Sequence, residues 1–137
     1  MSEVKVPAAA PFAVILDETQ GPLPFVPRAG TDGGITWEYT VDPAHYNPYE
    51  RLHGGVVMAL MDSAMGQAVA AVVHAEGRIN AAAQMNVNFL APVKGGLLRA
   101  RARVIKVGKR LAVVEASTTD DTGALVAIAT ATHSLLP

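Results

Sequence analysis

The sequence predicts an α+β fold in which a five-stranded antiparallel sheet wraps around one long central helix. Three observations predict it. Residues 56 to about 75 are nearly all apolar or small, in a run too long for one strand. Five other segments read as strands, one before that run and four after it. The last four are joined by short turns, which make neighbouring strands antiparallel. A helix apolar on every side must be buried on every side, and a sheet that curls around it provides the cover.

The elements follow in order. Residues 1–34 are punctuated by Pro11, Pro22, Pro24 and Pro27 and closed by Gly30, Gly33 and Gly34. They read as a loop extension with one short helix near residues 12–16. A single domain then spans residues 35–137. Ile35, Trp37, Tyr39 and Val41 alternate with polar residues, which marks a strand with one buried face. Pro43, Asn47 and Pro48 mark a loop, and His53-Gly54-Gly55 leads into the helix. After Gly77 the period becomes two: Ala83, Met85, Val87 and Phe89 alternate with Ala82, Gln84, Asn86 and Asn88. Leu98, Ala100, Ala102 and Val104 alternate with Arg99, Arg101 and Arg103. Turns at Gly108 and at residues 120–123 bracket a strand at 111–118, and residues 124–134 form the last strand.

Composition narrows the function. With 137 residues, half of them hydrophobic and 17% charged, the chain supports one packed core. It has no cysteine, so disulfides, thiolate metal sites and a cysteine nucleophile are excluded. No uninterrupted apolar run nears the ~18 residues of a membrane span, and residues 1–5 lack a signal-peptide pattern. The expectation is a cytoplasmic protein with no membrane partner. The net charge of −1 conceals a basic stretch: Arg78, Lys94, Arg99, Arg101, Arg103, Lys106, Lys109 and Arg110, with no acidic residue from Gly77 to Val114. Such a field suits a polyanionic small ligand, or is a solvated strand face. A single aromatic, Phe89, in that stretch argues against nucleic acid.

Asp62 is the anomaly of the helix. Met58 and Met65 share its face, Gly66 lies one turn on, and no Lys or Arg lies within a turn. A buried unpaired carboxylate costs several kcal/mol, so it is normally paired or functional; the alternative is a helix face that reaches solvent at a subunit boundary. No Ser or Thr caps the helix start, which leaves the first amides, at Gly54 and Gly55, open to developing negative charge. His45, His53 and Asp62 match no zinc spacing, so no metal site is expected. No G-x-S-x-G elbow, dinucleotide fingerprint or P-loop is present.

The run Asn47-Pro48-Tyr49-Glu50-Arg51-Leu52-His53-Gly54-Gly55, followed by Asp62 and Gly66, resembles the hotdog-fold acyl-CoA thioesterases of the PaaI-like group, in the 4-hydroxybenzoyl-CoA thioesterase superfamily. The strand Gln84-Met85-Asn86-Val87-Asn88-Phe89-Leu90-Ala91-Pro92 is similar to that group's second strand. The resemblance implies the hotdog fold, self-association as dimers that pair into tetramers, and active sites at the dimer interface. It implies Asp62 as base or nucleophile, with the amide of Gly54 or Gly55 polarising the thioester carbonyl and Asn47 assisting. His53 would shape the loop, within reach of the leaving sulfur. Gly55, Gly66, Gln67, Asn80 and Ala82 would line the substrate beside Met58 and Met65 of the apolar helix face, and the basic stretch offers phosphate partners for CoA, with Lys106, Lys109 and Arg110 near the turn as the best placed. No separate cofactor is implied, because coenzyme A is part of the substrate.

One departure stands out. Several relatives place Ser or Thr, which holds the attacking water, where this sequence has Ala82. Gln67 or Asn80 would then have to hold the water. The expected reaction is hydrolysis of an acyl-CoA to free acid and CoA. Two alternatives share the fold: a non-catalytic acyl-CoA-binding domain, and a dehydratase that uses His53.

Overall fold

Large side chains on one helix and small ones on the sheet beneath it shape this fold. The structure is a computed structural model that describes residues 23–29 and 34–137. The short helix expected near residues 12–16 falls outside them. The elements are β1 (Val26–Ala29), β2 (Ile35–Thr40), α1 (Gly54–Val73), β3 (Ile79–Phe89), β4 (Leu97–Val107), β5 (Leu111–Thr119) and β6 (Leu125–Leu136). All five expected strands are present. A sixth, β1, comes from the segment read as loop and pairs antiparallel with β2, with Pro27 opposite Trp37. Proline is tolerated there because β1 is an edge strand, with one side of its backbone outside the ladder.

The sheet order is β1-β2-β4-β5-β6-β3, antiparallel throughout. Helix α1 therefore carries the chain from β2 to β3 at the far edge and lies across the concave face between. Leu60, Met61, Met65, Val69 and Val73 on the helix are fully buried. They meet Ala100, Ala102, Ala112, Ala116, Ala129 and Ala131 on the sheet. Methyl-sized residues on the sheet let the larger helix side chains seat closely, at the density of a protein interior. The segment Gly54–Glu76 is long and apolar enough to cross a membrane by length and composition, yet here it is the core helix of the sheet.

Two expectations need correction. The helix was expected to be buried on every side, but Gly55, Met58 and Asp62 are exposed. The sheet ends at β3, and beyond that edge no described residue covers this face. The alternation in β3 also breaks. The β3–β6 register shifts between Ala82 and Gln84, which places Ala82 opposite buried His133 and Met85 opposite buried Ala131. The bulge thus brings Ala82 onto the inner face with Met85, where strict alternation had separated them.

Candidate active site

The loop before α1 is held by its own polar groups. Asp42 caps a 3-10 turn by accepting from the Ala44 amide. The Tyr39 hydroxyl accepts from the Asp42 amide at 3.0 Å and shares a 2.6 Å hydrogen bond with Nδ1 of buried His45. Burial pushes the Tyr39 phenol above its usual range, with the Asp42 amide working the other way. The His45 carbonyl accepts from the His53 amide, which ties the loop to the helix start.

Asn47 is engaged at one end only. Its Oδ1 accepts from the amides of Tyr49 (2.9 Å) and Arg51 (3.2 Å), the side-chain turn typical of asparagine. With the oxygen so fixed, its Nδ2 is left as a donor. Asn47 and Gly54 line one pocket of about 350 Å³ with Tyr49, Val57, Phe89 and Pro92. A side chain on Gly54 would meet the Phe89 ring at 3.1 Å, so glycine is what lets the backbone face this pocket.

The helix start is capped after all. His53 Nδ1 accepts from the Gly55 amide at 2.9 Å, a role the sequence reading gave only to Ser or Thr. This occupies the Gly55 N–H. Gly54, the first helical residue, has no acceptor for its N–H among the described residues. Of the two glycine amides, that of Gly54 is the one left without an acceptor among the described residues.

Asp62 lines a second cleft, of about 560 Å³, with Gly55, Met58, Ala59 and residues Ala82 to Met85. It is exposed, not buried as the sequence suggested, and makes no hydrogen bond or ion pair among the described residues. Of the expected substrate residues, Gly55, Met58 and Ala82 line this cleft. Met65 does not, being fully buried in the core. Helical spacing placed Met58 and Met65 on one stripe but could not say where the sheet begins to cover it. Gln67 is drawn toward β2, where its Oε1 accepts from Trp37 Nε1 at 2.6 Å. The Asn80 Nδ2 lies 3.1 Å from the Gly66 carbonyl and 3.1 Å from His133 Nδ1, so Asn80 and Gly66 brace the helix against β3 and β6.

Sequence reasoning passed over His133. It is 2% exposed, and its Nε2 is buried with no hydrogen-bond partner among the described residues. Burial holds its pKa below the usual value, and the negative charge of Asp62 opposes that shift. A buried donor without an acceptor costs about 1–3 kcal/mol, so its persistence calls for a reason. The only signal in the sequence was a histidine inside an otherwise apolar strand.

Lys106, Lys109 and Arg110 are exposed at the β4–β5 turn. Arg78 donates to the carbonyls of Gly108 (3.1 Å) and Lys109 (3.0 Å) and pairs with Glu76, which pins that turn beside the start of β3. Ala82 is four residues further along the chain, so the turn lies ~13 Å along β3 from the Asp62 cleft. Arg99 and Arg103 pair with Glu38 and Glu115 on the outer sheet face, as a solvated strand face does.

A family model described as the thioesterase superfamily matches residues 49–127, which hold the Gly54 loop, the helix, Asp62 and strands β3 to β5. The chain belongs to the thioesterase superfamily. Among curated relatives, a 1,4-dihydroxy-2-naphthoyl-CoA hydrolase of Listeria monocytogenes is 33% identical over 87 residues, 64% of this chain and 70% of the relative. Relatives from Saccharolobus solfataricus and Haemophilus influenzae are matched over about half of their own length, 53% and 52%. Among solved structures, a phenylacetic acid degradation-related protein of Ralstonia eutropha superposes with a TM-score of 0.75 at 32% identity, covering 88% of this chain and 91% of that one. A Bacillus halodurans protein solved with CoA gives a TM-score of 0.70 at 32% identity, covering 74% and 66%. In this superfamily member the fold is the hotdog: one antiparallel sheet around a long central helix.

Proposed function

We propose that the protein hydrolyses acyl-CoA thioesters to free acid and CoA, at a site completed by two copies of the chain. One observation carries this reading. The carboxylate sits on the helix and the carbonyl-polarising donors at the helix start and in the loop before it, in different clefts. Eight residues separate Gly54 from Asp62, a rise of ~12 Å. Both cannot serve one carbonyl within a single chain. A second copy laid against the uncovered β3 edge would bring its Gly54 and Asn47 to the first copy's Asp62. The apolar cover that this helix face lacks would come from the same contact.

The chemistry then divides between the copies. Asp62 takes a proton from water as the water oxygen bonds to the thioester carbon. The Gly54 N–H and Asn47 Nδ2 of the other copy receive the negative charge that develops on the carbonyl oxygen. The C–S bond breaks, and the sulfur leaves with the proton that Asp62 carried. The reaction draws on no cofactor beyond the CoA already in the substrate. Two comparisons support the substrate class: a relative named as a CoA hydrolase and a solved neighbour that holds CoA.

The test is a panel of acyl-CoA substrates read by release of free thiol. Steady release from at least one is expected. Tight binding of acyl-CoA without release would leave a non-catalytic binding domain in its place.

The β4–β5 turn makes a separate prediction. Lys106, Lys109 and Arg110, if they hold CoA phosphates, contribute equally to ground and transition states. Neutralising all three should raise KM by about tenfold and leave kcat nearly unchanged. The loss should shrink with added salt, since exposed charges are screened over ~8 Å at physiological ionic strength. An acyl-pantetheine, which lacks the nucleotide, should be indifferent. Equal impairment of both substrates would remove the turn from the site.

A further inference from the structure

Arg28, Arg78, Arg99 and Arg103 each pair with a glutamate, but Arg51 pairs with no carboxylate among the described residues. It is half-buried, and its guanidinium folds back on its own turn. Nη1 donates to the carbonyls of Tyr49 (3.1 Å) and Glu50 (3.3 Å). The turn that presents both carbonyls to one nitrogen holds Glu50 at a φ of 58°, uncommon for a residue other than glycine. Nε and Nη2 have no hydrogen-bond partner among the described residues. A guanidinium held by Nη1 keeps its Nε–Nη2 side as a fork of two parallel donors, the edge that a carboxylate fits with both oxygens.

Arg51 lines the pocket that also holds Gly54 and Asn47. The rest of that lining is mostly apolar, with Leu52, Val57, Phe89 and Pro92 among it. Apolar walls with a few placed polar groups are the usual form of a site for a small organic ligand. Arg51 is three positions before Gly54, so the two α-carbons are at most ~11 Å apart. Their shared cavity of about 350 Å³ has room for an acyl group, but not for the pantetheine arm and nucleotide of CoA as well. With the thioester carbonyl at Gly54, the phosphates of CoA lie a full pantetheine arm away. The far end of a short acyl chain lies within reach of Arg51. A cation between apolar walls discriminates strongly, because a ligand that brings no anion leaves its donors unpaired.

We propose that Arg51 is a specificity-determining residue, and that the preferred substrates are acyl-CoAs whose acyl group ends in a carboxylate. The inference rests on the hydrolase reading above. The distal carboxylate accepts from Nε–H and Nη2–H side by side. The thioester carbonyl at the other end of the acyl chain accepts from the Gly54 amide. Water adds to the thioester, CoA leaves as the thiol, and the product is a dicarboxylic acid.

Matched pairs of thioesters test it: ω-carboxyacyl-CoAs of stepped length, each against the plain acyl-CoA with the same number of carbons. In the wild type the best carboxylated substrate should exceed its plain partner at least ~tenfold in kcat/KM, the effect of one hydrogen bond to a charged group. Arg51→Met keeps the stem and removes the charge. It should cost the carboxylated substrate at least ~tenfold in kcat/KM, mostly through KM, and the plain one less than about threefold. Arg51→Lys, a point charge without the fork, should recover only part of the loss. Equal losses on both substrates would make Arg51 a staple of its turn and overturn the proposal, as would a wild type indifferent to the carboxylate. The same pairs as pantetheine thioesters, which lack the nucleotide, should show the same Arg51 effect. An effect confined to the CoA series would assign Arg51 to a phosphate and sink the proposal. If no acyl-CoA releases thiol, the hydrolase reading fails, and dissociation constants for the same pairs decide the pocket. A carboxylate preference lost in Arg51→Met would support the Arg51 assignment, and no preference would overturn it too.

Discussion

Replacing Asp62 with Asn should lower kcat by at least ~100-fold, the lower range for loss of a general base, and leave the protein folded. The substitution keeps size and shape and removes the charge. Asp62 makes no hydrogen bond or ion pair among the described residues, and it is exposed in the single chain. Losing the carboxylate therefore breaks no hydrogen bond or ion pair with the described residues. The assay is thiol release under saturating acyl-CoA, with circular dichroism and a thermal melt as controls. Turnover like wild type in Asp62→Asn would mean that the carboxylate is not the base. A misfolded variant would mean that it has a structural role absent from the single chain.

The second large effect is on stability, and it separates the two faces of α1. Leu60 is fully buried between the helix and the sheet. Leu60→Ala deletes its packing and leaves a cavity, which should cost about 2–5 kcal/mol. Against the 5–15 kcal/mol typical of a whole domain, that is a large fraction and corresponds to roughly 10 °C in Tm. Met58, two residues earlier, lines the Asp62 cleft and is 37% exposed. Met58→Ala should melt within ~1 kcal/mol of wild type and instead raise KM for long acyl chains. Both melts belong at one protein concentration, because self-association adds to apparent stability. Equal destabilisation by the two variants would mean that the Met58 face is ordinary core.

Much of this was legible in the residues. A run as long and apolar as residues 56–75 reads as a helix rather than a strand, and five of the six strands announce themselves by alternation or by β-branched runs. The resemblance carried by Asn47, His53-Gly54-Gly55 and Asp62 pointed to the superfamily that the family match shows. What stayed hidden has physical causes. β1 hides behind Pro24 and Pro27, which forbid a central strand but not an edge. The bulge at Ala82 lies in a run of three alanines, where no side chain distinguishes one register from the other. The cap at Gly55 comes from a histidine ring, outside the usual Ser, Thr, Asp and Asn set. Gln67 was assigned to the site by its nearness to Asp62 in sequence, but Trp37 on β2 supplies a donor that draws it away.

The exposure of Asp62 carries the most weight among these differences. Apolar patterning all around α1 argues for burial all around, and the described residues leave one face bare at the β3 edge. The uncovered surface holds the one carboxylate of the helix, and the Gly54 amide lies about two turns back along the same helix, in another cleft. On the proposed reading, a lone chain has the parts of a hydrolytic site without their juxtaposition.

Mixing two crippled variants tests that claim most directly. Asp62→Asn protomers keep the donor loop, and Asn47→Ala protomers keep the carboxylate. Each variant alone should be nearly inactive. After unfolding and refolding at equal amounts, about half of the dimers would be hybrids. Each hybrid would hold one intact site of two, so the mixture should regain ~25% of wild-type activity, with the regained fraction tracking the amount of hybrid. A mixture no more active than the average of the separate variants would contradict a site built across two chains. So would full activity from a chain that light scattering shows to be monomeric.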